Sequence, residues 1–400
     1  MVEKVRRDQW PRGINNRANW RNLPDGAVAD AVNLDFLEGG SVGLRAGFDQ
    51  VYAGTDVRGA LAVGTDVLVA DGSNLVRYDR LTNTASVIGT IAGAGRFTGA
   101  VMNGELLFCT ENETFRYRAG VLRRWGVPTV TAQPIPTVGA GALAAGTYQW
   151  AVTYVSAAGE EGGVVSATRM AVGNNAALQF DLTPPAGYQA RLYVGANQGG
   201  NLYLQFEGQG AYSVTSVRDD TARLDTMHLR EPVGGDHMAS HNGVLAVAAG
   251  NVVWLTSPLR PHLRNAVSGF FQFGEPVGMV VSADGGLFVS ADKTYFIRDA
   301  ETGEPQQSGV FDFPAVPGSG TTLPDGKAVW MTAFGVAVSD GQGGAALISQ
   351  DNFVSELATR GSSGIVDHNG NRQVVTTLTG ARGANPLAAG DYYEAEIIYP

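Results

Sequence analysis

The chain has 400 residues, 44% of them hydrophobic, enough for two or three domains with real cores and too apolar for global disorder. Its net charge of −10 argues against a protein built to grip nucleic-acid phosphates, though not against a channel that DNA passes through without sticking. The single cysteine excludes an internal disulfide and a cysteine-built zinc cage.

The chain opens on an arm unlike the rest. Residues 1–23 hold Lys4, Arg6, Arg7, Arg12, Arg17 and Arg21 against Glu3 and Asp8, a balance of +4 that leaves −14 for the remainder. Trp10 and Trp20 punctuate it, and nothing in it alternates. Two readings stand side by side: an arm that docks along a neighbouring subunit, or a strip lying on its own domain. The candidate interface residues are Arg6, Arg7, Trp10, Arg12, Arg17 and Trp20. No apolar h-region of a signal peptide follows the charges. The longest apolar stretch, Val244 to Leu255, is broken by Asn251 and is shorter than the ~20 residues of a membrane helix. The expectation is a soluble protein made in the cytoplasm, with no membrane span.

Glycine, at 54 residues, stands at roughly double its usual share of about 7%, without a collagen period. Scattered glycine means many tight turns and hence many short strands. Asx-Gly pairs, which tolerate the positive φ of a type I′ hairpin turn, begin at Asp25, Asp71, Asn103, Asn242, Asp284, Asp325, Asp340 and Asn369. The unit Val69–Tyr78 resembles Cys109–Tyr117, and both resemble Val289–Arg298: an apolar strand, a short acidic turn, and a strand ending in Arg or Tyr. With similar hairpins near 245, 330 and 370, these suggest a repeat of roughly 35–45 residues, as in a β-propeller whose sheets cover one another's apolar faces. A pair of β-sandwiches would give much the same pattern. Cys109 lies in Leu106-Leu107-Phe108-Cys109 and reads as a buried strand thiol.

The repeat is interrupted over residues 127–236. Pro128, Pro134 and Pro136 mark a linker, after which Tyr148, Trp150, Val152 and Tyr154 share one face of a strand. Gln189–Val194 and Asn201–Phe206 add two more strands. An all-β chain follows: an extended arm (1–23), a first propeller-like part (24–126), an inserted fibronectin- or immunoglobulin-like β-sandwich (127–236), and a second propeller-like part (237–400). One stretch reads as helix, capped by Asp351, with Phe353, Val354 and Leu357 as its stripe and Arg360 and Gly361 at its end.

Chemistry-bearing patterns fall short one by one. His237 and His241, four apart, would face each other on a helix. The zinc-protease pattern, however, needs Glu directly after the first histidine, where Met238 stands; loop histidines are the plainer reading. At Gly326-Lys327 a phosphate loop fails, because Thr321 replaces the first glycine and Ala328 the magnesium-holding hydroxyl. Gly93–Gly99 is one residue off a dinucleotide fingerprint, opens no helix, and reads as a flexible turn. The carboxylate pairs Glu160-Glu161 and Asp219-Asp220 point to opposite faces of a strand, wrong for paired acid/base work. No cofactor, metal or enzymatic site is expected.

Three segments carry a resemblance. Gly13-Ile14-Asn15-Asn16-Arg17, Ala31-Val32-Asn33-Leu34-Asp35 and Leu44-Arg45-Ala46-Gly47-Phe48 look like the opening of bacteriophage virion proteins of the tail nozzle or tail hub type. Val253–Leu263 followed by Gly286–Val289 is similar to a later segment of that group. Ala144–Tyr148 and Gly159–Gly162 resemble fibronectin-like modules common in tail proteins. The resemblance implies a propeller-type virion subunit in a ring, six-fold in that group, around the DNA exit path of a short tail. Its partners would be its own copies, adaptor or portal-side proteins and other tail parts, with DNA as passing cargo. A receptor-binding or plug segment is not recognisable. The rival expectation is a glycan-binding or glycan-cleaving propeller.

Overall fold

The computed structural model describes residues 9–45, 47–368 and 371–388. These residues are built almost wholly of short antiparallel strands, with three single-turn 3-10 segments and no α-helix among them. They divide into two units, each described by itself: one of Asp56–Gln272 with Glu301–Glu304, the other of Met1–Thr55, Phe273–Ala300 and Pro305–Pro400.

In the first unit, Val57–Val63, Asp66–Asp71, Asn74–Asp79 and Thr84–Thr90 form a meander in chain order. Thr98–Met102, Glu105–Cys109, Thr114–Arg118 and Val121–Arg124 form a second. Beyond the insert a third is built on His237–His241, Val244–Ala249 and Val252–Ser257. The turns follow from local chemistry. Asn103 and Gly104 have φ of 53° and 73°, and Asn242 and Gly243 44° and 81°, the double positive φ that Asn-Gly tolerates. At Asp71 the pairing Asp71↔Asn74 instead makes Gly72-Ser73 the turn. The Asn369 turn lies outside the described residues.

The strand Glu105–Cys109 is buried along its whole length because its two faces meet different neighbours. Leu106 and Phe108 join Leu68, Leu75, Phe97 and Tyr117 in a core shared with the first meander. Leu107 and Cys109 join Trp125, Met238, Leu245 and Val247 in a core shared with the third, across the insert. Burial on both faces is what makes such a strand an unbroken apolar run rather than an alternating one. Cys109 is fully buried, and burial pushes its thiol up to about 12.

The insert holds a three-stranded sheet, Thr137–Leu143, Ala176–Leu182 and Gly210–Val214. Opposite it lies a four-stranded sheet ordered Thr168–Val172, Gly146–Ser156, Tyr188–Gly195 and Tyr203–Gly208. Tyr148, Trp150 and Val152 face into one apolar cluster with Leu178, Phe180 and Val214, so the alternation read from that strand marks its core face. Ala151 and Tyr193 turn the other way, onto Val130, Val164 and Leu224.

In the second unit two further meanders share one core. Met279–Ala283, Gly286–Ser290, Thr294–Arg298 and Gln306–Phe311 form one; Thr321–Thr322, Ala328–Thr332, Gly335–Ser339 and Ala345–Leu347 form the other. Phe288 lies 5.0 Å from the Trp330 ring at its centre. A two-stranded ribbon, Leu357–His368 with Asn371–Gly383, follows.

The helix expected from Asp351 to Gly361 is absent. A single turn closes where Asn352 and Phe353 donate to the Ser349 carbonyl at 3.0 and 2.7 Å. Asn16 then takes both backbone groups of Val354, accepting from its amide at 3.0 Å and donating to its carbonyl at 2.7 Å. Leu357 onward pairs with Gly383 and its neighbours. Long-range partners thus claim the groups a helix would use internally.

Candidate functional site

Two meanders of the first unit share a charged bond. A residue opening the second strand of a meander bonds to a residue 11 positions later on the third. Asp66 accepts from Arg77 at 2.8 Å, and Glu105 from Arg116 at 2.8 Å. Two other meanders carry a different bond between their second and third strands: the Leu245 amide donates to the Thr256 hydroxyl at 2.9 Å and the Ala328 amide to the Ser339 hydroxyl at 2.8 Å.

In the second meander this pair is the hub of a charged junction. Arg116 grips Glu105 on one side and, through Nη1, both oxygens of Glu160 at 2.6 and 2.7 Å on the other. Its neighbour Glu161 turns into the insert, accepting from Thr153 at 2.5 Å, Arg191 at 2.7 Å and Tyr193 at 3.0 Å. Arg191 also holds Glu207, and Arg260 holds Asp225. Glu160, Glu161, Arg191, Asp225 and Arg260, with His262 and the buried Thr226, line a cavity of about 320 Å³. Glu160 and Glu161 diverge as adjacent residues should, but on a loop, and each meets a guanidinium.

The electrostatics are those of clamped ion pairs. The hydrogen bonds Arg116 donates, to Glu105 above all and to Glu160, outweigh burial and raise its guanidinium above its usual value. Burial pushes Glu105 up, but Arg116 and Arg123 overcome it and hold the carboxyl below the usual range. Burial and then Glu161 push Tyr193 up. Burial lowers His262, against the pull of Glu160 3.9 Å away. An acid/base pair needs a carboxyl raised toward neutrality; Glu105 shifts the other way. The arrangement joins the insert to the meander.

The glycine loop 93–99 is not a loose turn. Glu111 accepts from the Ala94 and Gly95 amides at 2.8 and 3.0 Å, and Glu113 from the Ala92 amide at 2.5 Å. Successive amides forming an anion cradle are what such glycines allow, and here the chain supplies its own carboxylate. A Cβ on Gly95 would stand 2.4 Å from a Glu111 oxygen. At Gly326-Lys327 the lysine pairs with Asp325 at 3.2 Å within a meander turn.

His237 and His241 lie at the two ends of one strand, about 13 Å apart at ~3.3 Å per residue, so the helical facing does not arise. Burial and Arg96 push His237 down to about 3. Among the described residues no three His, Cys, Asp or Glu side chains gather as metal ligands. A groove of about 410 Å³ on the insert carries stacked Phe206 and Tyr212, centroids 4.5 Å apart. The Gln205 amide at its base is taken up by Tyr203 and Arg218.

Of the candidate interface residues, Arg6 and Arg7 lie outside the described residues. The stretch after them is fastened to its own unit. Trp10, half-buried, donates from its amide to Gly40 at 2.6 Å. Arg12, exposed, donates from its amide to Gly26 at 2.9 Å. Gly13-Ile14 pairs in parallel with Ala27-Val28, Asn16 holds Val354, and the Arg17 guanidinium reaches the Gln350 carbonyl. Trp20 is 59% exposed, with Arg21 5.2 Å over its ring. Beyond it the unit turns apolar side chains outward: Val32, Leu37, Leu44, Phe48 and Val51 are 42–86% exposed. Charge pointed to residues 1–23; the signal for this surface was apolar residues in a segment whose one short hairpin, Leu34–Phe36 with Val42–Leu44, leaves them uncovered.

No family model and no curated protein matches the chain. Solved structures resemble it at low identity. PorZ, a bacterial surface component of the type-IX secretion system of Porphyromonas gingivalis, is 13% identical over 85% of this chain, TM-score 0.22. The chain spans 53% of that PorZ chain. The N-terminal domain of Nup159 is 13% identical, over 80% of this chain and 72% of its own, TM-score 0.30. BBS1N, solved in complex with ARL6DN, is 11% identical, over 85% and 97%, TM-score 0.32.

Proposed function

We propose that the chain is a non-enzymatic structural subunit of a bacteriophage tail, a ring component around the DNA exit channel that assembles with its own copies and with adaptor-side and other tail proteins. The observation that carries this reading is the run of exposed apolar side chains Trp20, Val32, Leu37, Leu44, Phe48 and Val51 within 32 residues of sequence. Soluble proteins rarely leave such residues in one segment uncovered unless a partner covers them. The same segment holds Ala31–Asp35 and Leu44–Phe48, on which the resemblance to tail nozzle and hub proteins rests. The four-stranded meanders are read as propeller blades. The seven strands of the insert, in sheets of three and four, are read as a fibronectin-like module.

The test is negative-stain imaging and sedimentation of the purified full chain, with the rings matched to tail density in virions. Closed rings are the expected result. A monomer at high concentration, with no counterpart in tail density, would overturn the reading.

A further inference from the structure

The ribbon Leu357–His368/Asn371–Gly383 is a sheet of two strands, 12 and 13 residues long, roughly 40 Å at ~3.3 Å per residue. It is fastened at one end: the Gly361 amide donates to Pro317 at 2.6 Å, the Ser363 hydroxyl to Ser319 at 2.5 Å, and the Asn385 amide to Ala333 and Ser355 at 2.7 and 2.9 Å. Among the described residues of Gly364–Asp367 and Arg372–Val375, hydrogen bonds run within the ribbon alone. A two-stranded ribbon is marginal by itself, and long bare edges are templates for pairing. Residues 357–383 contain neither proline nor lysine, and the one register irregularity of the ribbon lies at its fastened end, between Leu357 and Ala358.

We propose that this ribbon pairs edge to edge with the same ribbon of neighbouring copies of the chain, the outer edge of Gly364–Asp367 against the outer edge of Arg372–Val375 of the next copy. The inference rests on the ring reading above and names the contact that closes the ring. Three observations select a second copy. The two stretches, Gly364–Asp367 and Arg372–Val375, match in length. They are of opposite kind, one per strand, so a head-to-tail contact repeats around a rotation axis until no edge is left. Their charges also match. Asp367 and Arg372 pair at 3.2 Å within one ribbon and stand on its two different edges, so neighbouring ribbons in the same stagger bring an Asp367 beside an Arg372 again.

The experiment uses the full chain with Ser362→Cys or Thr377→Cys, both exposed positions on opposite strands. Cys109 is buried, so the new thiols are the accessible ones. Sedimentation of the unmodified chain first shows whether it assembles. The two variants are then mixed and treated with a short bis-maleimide. The expected result is a cross-linked dimer in the mixture at several times the yield of either variant alone. Assembly of the unmodified chain with no excess cross-link in the mixture overturns the ribbon contact and leaves the ring reading standing. An unmodified chain that stays monomeric at every concentration sinks both. A chain ending at Ala388 separates the other occupant: retained cross-linking supports ribbon against ribbon, and its loss assigns the edges to residues 389–400 and overturns the proposal.

Discussion

Arg116 Nη1 donates to both oxygens of Glu160, at 2.6 and 2.7 Å, across 44 residues of sequence. One guanidinium thereby fixes a loop of the insert onto the meander, while its Nη2 stays on Glu105 at 2.5 Å. Both carboxylates and the arginine are largely withdrawn from water, with side-chain exposures of 11%, 24% and 11% for Glu105, Glu160 and Arg116.

Removing the arginine leaves a buried carboxylate without its partner. Arg116→Ala should cost about 3 kcal/mol, and Glu160→Gln, which leaves the Glu105 pair intact, about 1 kcal/mol. Urea unfolding of both variants and of the double variant measures the coupling. An unchanged midpoint for Arg116→Ala would show that the junction is ornamental to stability.

The depressed value of Glu105 sets the acid limb. A carboxyl held below its unfolded value contributes stability that is present above about pH 4.3 and lost as pH falls through the folded value. Wild-type stability should therefore decline below about pH 4 more steeply than that of Arg116→Ala. Parallel curves for the two proteins would contradict this.

His237 acts in a higher window. It is held neutral with a folded value of about 3, so between there and its ordinary value near 6.5 the unfolded chain binds the extra proton. Stability should fall as pH drops from 6.5, by on the order of 2–4 kcal/mol in all. His237→Gln should flatten that slope in melts taken from pH 7 to pH 4. A slope unaffected by the substitution would place the titrating group elsewhere.

The glycine loop gives a steric test. Gly95→Ala pushes a methyl group against the Glu111 carboxylate and should cost about 1 kcal/mol. With Glu111→Ala already made, the same change should cost much less. Equal costs in both backgrounds would locate the clash at Asp236, whose oxygen lies 2.9 Å from the same methyl position.

Leu44→Asp with Phe48→Asp tests the assembly surface. Both side chains are exposed, 86% and 70%, so the melting temperature of the unassembled chain should stay within a few degrees. Assembly measured by sedimentation should weaken at least tenfold, about 1.4 kcal/mol. Unaltered assembly would remove this surface from the interface.

The sequence by itself determined what depends on short-range geometry. Asn103-Gly104 and Asn242-Gly243 set their turns because those residues accept positive φ wherever they occur. Tyr148, Trp150 and Val152 declared a core face because a strand has period two. Tertiary structure decided whatever depends on a partner far along the chain. Asn16 takes the backbone of Val354, and so the Asp351 segment is a turn and a ribbon rather than a helix. Glu111 fills the cradle of Gly93–Gly95, and Arg116 gathers Glu105 from its own sheet and Glu160 from a loop of residues 127–236. Local propensity is worth tenths of a kcal/mol per residue, whereas an unmet buried amide or carboxylate costs one to several, so the long-range partner wins wherever the two disagree.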